Sequence, residues 1–140
     1  MRRRTKPLPK EVFISHAHRD RAFAARLIQV LQAHRIKYWY SPKHILGAQQ
    51  WHDEIGKALA RCYWFLIVLS PNAVRSKWVG YEYFYALDDD RFGGKIVPVI
   101  YKQCRWKKVL WTLRRLQCVN FEQDFDAACR DLLKTWGLQL

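Results

Sequence analysis

The run WFLIVLS, Trp64 to Ser70, narrows the choice of fold more than any other stretch of the chain. It carries no charge, and only its last residue is frankly polar. A strand with one wet face alternates apolar and polar residues. An unbroken apolar run of strand length is instead covered on both faces, as strands inside a parallel sheet are. Clefts in such sheets open beyond the carboxyl ends of the strands, so the residues after Ser70 stand next to the place where a ligand would sit. They are PNAVRSKWVGYEYFYAL; if Ser76 caps a helix beginning at Lys77, Trp78 and Glu82 stand four residues apart on one helix face. Spacing alone leaves Glu82 open between a reactive carboxylate and an ordinary solvated helix residue. The stripe of Trp78, Tyr81 and Tyr85 reads as core.

The rest of the chain alternates in the same way. Glu11 to Ser15 (EVFIS) is β-branched and aromatic and reads as a strand, followed by the polar loop SHAHRD, in which Asp20 is placed to cap the next element. Phe23, Leu27, Val30, Leu31 and His34 recur at spacings of three and four, which predicts an amphipathic helix from Arg21 to about His34. Lys37 to Tyr40 gives a second strand, ended by Ser41 and Pro42. Pro42 to Gln50 reads as a long loop and Trp51 to Arg61 as a second helix carrying Ile55 and Leu59. After the break DRFGGK, Lys95 to Tyr101 is strand-like, although Pro98 removes one ladder donor. Lys102 to Gln117 supports no assignment beyond a loop with a helical turn. Leu116 to Phe121 resembles a last strand, and Phe125, Ala128, Cys129, Leu132, Leu133 and Trp136 mark a last helix, stopped by Gly137. The order predicts an α/β domain: one parallel sheet with helices on both faces.

Length and charge bound the function. At 140 residues the chain encloses one core, and its net charge of +13 favours anionic partners without deciding the fold. Residues 1–10 read as a basic, flexible leader and 11–140 as the domain. The leader lacks the apolar core of a signal peptide, and no run approaches the about eighteen apolar residues of a membrane span, so no membrane partner is expected. Cys62, Cys104, Cys118 and Cys129 form no Cys-x-x-Cys pair, and three of them, in apolar segments, read as reduced, packed thiols, which fits a cytoplasmic protein.

Several chemistries lack their signatures. There is no glycine-rich phosphate loop, and no helix presents two histidines at i, i+4, so neither a Rossmann-type dinucleotide site nor a metal is expected. Asp88, Asp89 and Asp90 read as a solvated acidic turn. Lys102, Arg105, Lys107, Lys108, Arg114 and Arg115, with Trp106 and Trp111 between them, are the kind of mixture that grips single strands. A charged surface over a tryptophan-filled core is the simpler account, and nucleic acid is not the expected partner.

Five segments taken together go further. VFISHAHRD (Val12 to Asp20), the loop with Gly47 and Trp51, FLIVLSPN (Phe65 to Asn72), SKWVGYE (Ser76 to Glu82) and IVPVIY (Ile96 to Tyr101) resemble, in order and spacing, the sequence boxes of a Toll/interleukin-1 receptor (TIR) domain. The resemblance runs from about Glu11 to Trp136 and is closest to prokaryotic members that cleave NAD+. It implies a flavodoxin-like sandwich with a five-stranded parallel sheet. It also implies cleavage of the nicotinamide-ribosyl bond in immune or antiphage signalling, with Glu82 catalytic and NAD+ a substrate rather than a cofactor. Carried over residue by residue, the substrate would meet Ser15, His16 and His18 after the first strand, Trp39, Ser41 and Gly47 around the second loop, and Ser70 and Trp78 near the third strand. Self-association with other TIR domains is implied, with a neighbouring copy's loop around Ile45 and Leu46 completing the site. Other members are adaptors that only assemble, and that reading stays open. Two features depart from the family: Tyr40 and Ser41 stand where many members have Asp, and the first loop offers only His16, His18 and Arg19 near the phosphates.

Overall fold

The computed structural model of the chain describes residues 9–40, 48–105, 112 and 116–138. Five strands, β1 (Val12–Ser15), β2 (Tyr38–Tyr40), β3 (Trp64–Leu69), β4 (Ile96–Ile100) and β5 (Val119–Asn120), form one sheet in the order β2-β1-β3-β4-β5, and every pairing is parallel. This is the flavodoxin-like order, in which the chain reverses its direction of travel across the sheet between β1 and β3. The helices are α1 (Arg21–Ala33), α2 (Ala48–Arg61), α3 (Pro71–Arg75), α4 (Lys77–Asp88) and α5 (Phe125–Thr135).

Side-chain alternation sorts the core into two layers. Val12 and Ile14 of β1 and Leu66 and Val68 of β3 face α1 and α5, where Phe23, Leu27, Leu31, Leu132 and Leu133 are buried. Phe13, Phe65, Ile67 and Leu69 point the other way, against Ile55, Ala58 and Leu59 of α2 and Val79, Tyr83 and Ala86 of α4. Trp64 and Trp136 meet edge to face at 5.9 Å under the first layer. Each large apolar side chain removed from water contributes about 1.5–3 kcal/mol. The two layers therefore hold the sheet firmly and fix where its strand ends lie.

Several boundaries differ from the sequence reading. The long loop expected through Gln50 ends earlier, because α2 starts at Ala48; Ala-Gln-Gln are good helix formers with no Gly or Pro among them. Between Ser70 and Ser76 lies a short helix that spacing did not reveal, with Pro71 at its first position and the Ser70 hydroxyl accepting from Ala73 N at 3.0 Å. The Ser76 cap is where it was expected, accepting from Val79 N at 3.3 Å. The last strand shrinks from six expected residues to Val119 and Asn120. Pro98 is accommodated by register. Lys95 O and Tyr101 N bond to β3 while Ile100 O bonds to Phe121, so Pro98 turns its missing donor toward β5, whose pairing begins only at Val99. The expectations for the leader, for Ile45 and Leu46 and for most of residues 102–117 lie outside the described residues.

Candidate active site at the ends of β1 and β3

Five polar or charged residues are buried among the described ones: Ser15, His16, Asp20, Ser70 and Glu82. They gather at the carboxyl ends of β1 and β3 and on the helix above them, where the strand order reverses. Burying polar groups is costly unless they are bonded to one another. Most of this set is.

Glu82 reaches the end of β1 because of the face of α4 on which it lies. Val79, Glu82, Tyr83 and Ala86, spaced three and four apart, are the buried stripe of that helix. The expected core stripe holds only at Trp78: Tyr81 is 58% exposed, and Tyr85 also faces outward. Trp78 is half-buried, packs against the α2/α4 layer, and meets Tyr81 edge to face at 5.8 Å. Glu82 thus occupies a position that the helix period reserves for an apolar side chain, and it is 3% exposed. Its Oε1 accepts a hydrogen bond from Ser15 Oγ at 2.7 Å.

Period two explains why Ser15 is there. Along β1, Phe13 faces α4, Ile14 faces α1, and Ser15 again faces α4. Its backbone is fixed in register beside Ile67 of β3, so the hydroxyl is held from below while α4 holds the carboxylate from above. His16 comes next, also buried, with its ring 6.2 Å from Tyr40.

A second polar unit lies beside the first. Asp20 was expected to cap α1, yet its side chain makes no capping bond. Its carboxylate accepts instead from Ser70 Oγ and, at 2.9 Å, from Asn72 Nδ2. This ties the turn after β1 to the turn after β3, and a side chain aimed across the sheet has no reach left for its own helix. Ser70, expected as a substrate contact, is fully buried and has its hydroxyl engaged twice within the protein. Trp39 is half-buried and stacks on Phe13 at 5.0 Å, and His18 lies exposed in the 3-10 turn His18–Asp20. Ser41 and Gly47 are outside the described residues. The structure therefore buries Ser15, His16 and Glu82 near one end of the sheet, with Asp20 and Asn72 as residues that sequence reasoning gave no such part. Asp20 could have been noticed, since a carboxylate five residues beyond a buried strand can turn toward a neighbouring strand end as easily as toward a helix. Among the described residues, no group of three or more His, Cys, Asp or Glu could hold a metal ion, and no helix is long and apolar enough to cross a membrane.

Comparison with known proteins gives the family and the fold. A family model described as "TIR domain" matches residues 12–133. Among curated proteins, a probable 2' cyclic ADP-D-ribose synthase, TcpO, from Methanobrevibacter olleyae is 22% identical over 92 residues. That match takes in 65% of this chain but only 27% of the relative, so the chain spans about a quarter of that protein's length. Among solved structures, the TIR domain of the Toll-related receptor TRR-2 from Hydra magnipapillata superposes with a TM-score of 0.71 at 19% identity, covering 88% of this chain and 94% of that one. The TIR domains of the activated Roq1 resistosome, which recognises the pathogen effector XopQ, give 0.70 at 17%, covering 89% and 98%. A metazoan TIR-STING receptor from C. gigas, in complex with 2',3'-cGAMP, gives 0.73 at 22%, covering 92% of this chain and 40% of that one.

Proposed function

Because the chain belongs to the TIR-domain family, we propose that it cleaves NAD+ at the nicotinamide-ribosyl bond, with Glu82 as the catalytic carboxylate. One observation carries the proposal: a carboxylate seated on the buried face of α4, hydrogen-bonded to the end of β1 at the point where the strand order reverses. The relative named as a probable cyclic ADP-ribose synthase supports the substrate class.

The chemistry needs little more than that group. Glycosidases that expel a poor oxygen leaving group rely on a second carboxyl to protonate it. Nicotinamide leaves NAD+ through a cationic ring nitrogen, takes the bond's electron pair, and departs neutral, so no acid is required. What remains is a ribosyl cation, which a carboxylate in a poorly solvated crevice stabilises far better than one in water. Water then adds to the cation and loses a proton, giving ADP-ribose; attack by a hydroxyl of the same molecule gives a cyclic product. At 3% exposure, Glu82 meets a ribose only when the crevice opens. Isolated copies are therefore expected to turn over slowly, and contacts between copies to raise the rate. Cytoplasmic immune or antiviral signalling is the setting in which such a product would be read.

The test is free nicotinamide, monitored by chromatography with NAD+ and concentrated protein. Glu82→Gln is expected to abolish release while the protein melts as the parent does; release at the parental rate would remove Glu82 from the mechanism. A dilute, monomeric sample with full specific activity would remove the dependence on contacts. A second reading, a non-catalytic adaptor, is favoured by the outward aromatic face of α4, and a parent chain that releases no nicotinamide would select it.

A further inference from the structure

We propose that Ser15 is a positioning residue for Glu82: its hydroxyl anchors Oε1, so that the carboxylate keeps one orientation toward the ribose. This rests on Glu82 being the catalytic carboxylate and changes the part expected for Ser15, from touching substrate to aiming the group that does.

Three observations carry it. Ser15 is 1% exposed, and its hydroxyl is buried against the Glu82 carboxylate. The hydroxyl carries a single proton, and that proton is directed at Oε1 across 2.7 Å. Finally, Ser15 is paired in register with Ile67 of β3, and the residue before it, Ile14, is paired on both sides, to β2 and to β3, so the sheet holds the serine backbone in place. A glutamate has three rotatable side-chain bonds and would sample several orientations on a helix. A donor fixed to the sheet selects one. Stabilising a cation that exists only at the transition state depends on that orientation, whereas ground-state binding of NAD+ does not.

Steady-state nicotinamide release by Ser15→Ala and Ser15→Cys, beside the parent, tests this. With Ala, kcat is expected to fall about ten- to a hundred-fold, the range of one hydrogen bond to a charged group, with KM unchanged. Cys fills the space but is a weak donor, so it is expected to behave like Ala. A raised KM at parental kcat would overturn the proposal in favour of a substrate contact. Full activity in the Cys variant would overturn it in favour of simple packing. A urea double-mutant cycle of Ser15→Ala with Glu82→Ala reads the same pair without catalysis, and the two losses are expected to be non-additive. An active parent with additive losses would sink this proposal alone. A parent that releases no nicotinamide under any condition would sink the Glu82 reading and this proposal with it.

Discussion

Ser70 shows how much one hydroxyl can hold. It donates to Asp20 and accepts from Ala73 N, so it serves the bridge between two turns and the start of α3 at once. Ser70→Ala is expected to cost about 2–3 kcal/mol, combining a lost cap with a weakened bond to a buried carboxylate; a lower urea midpoint with unchanged slope would show it. The buried thiols make a separate prediction about pH. Burial, with Glu11 adding to it, pushes the Cys62 thiol up to about 12, and burial with Asp126 lifts Cys129 to about 11. Both groups are harder to ionise in the folded chain than in the unfolded one, where thiols titrate near 9.0. Their contribution is thus complete below that pH and is lost as pH rises through the folded values. Thermal melts under reducing conditions should fall more steeply above about pH 9 for the parent than for Cys62→Ala.

Elements were legible in the sequence wherever burial set the pattern. The run from Phe65 to Leu69 has to be a covered strand, and the three-and-four spacing of α1 and α5 has to be a core-facing helix. Features decided by local hydrogen bonding were harder to see, such as the single turn of α3 and the first turn of α2. On α4, aromaticity misled. Tyr81 and Tyr85 looked like core, while the true buried stripe contains a glutamate, because the period of the backbone outranks the character of any one side chain. Glu82 was visible through its spacing from Trp78, but Ser15 as its partner was not, since contact between residues this far apart requires knowing that β1 and β3 are neighbours. The alternation of β1 held the face of Ser15; it did not hold the strand order.

On the scale of the whole molecule, charge and surface aromatics oppose each other. A chain with a net charge of +13 repels its own copies. Against that, Tyr81, Phe84, Tyr85 and Leu87 expose large apolar side chains on one helix, with Phe84 59% exposed. If copies associate through this face, raising salt from low ionic strength should strengthen association by screening the repulsion, and Phe84→Glu should weaken it at every salt concentration. Sedimentation at two ionic strengths checks both; a Phe84→Glu sample that associates as the parent does would exclude this face. The bond from Ser15 to Glu82 joins residues 67 positions apart in the chain. The pairing of β1 with β3 and the seating of α4 must be in place before oxygen meets oxygen. A nascent or partly melted chain therefore carries a hydrated glutamate, and the meeting of the two oxygens is the mark that sheet and helix have come together.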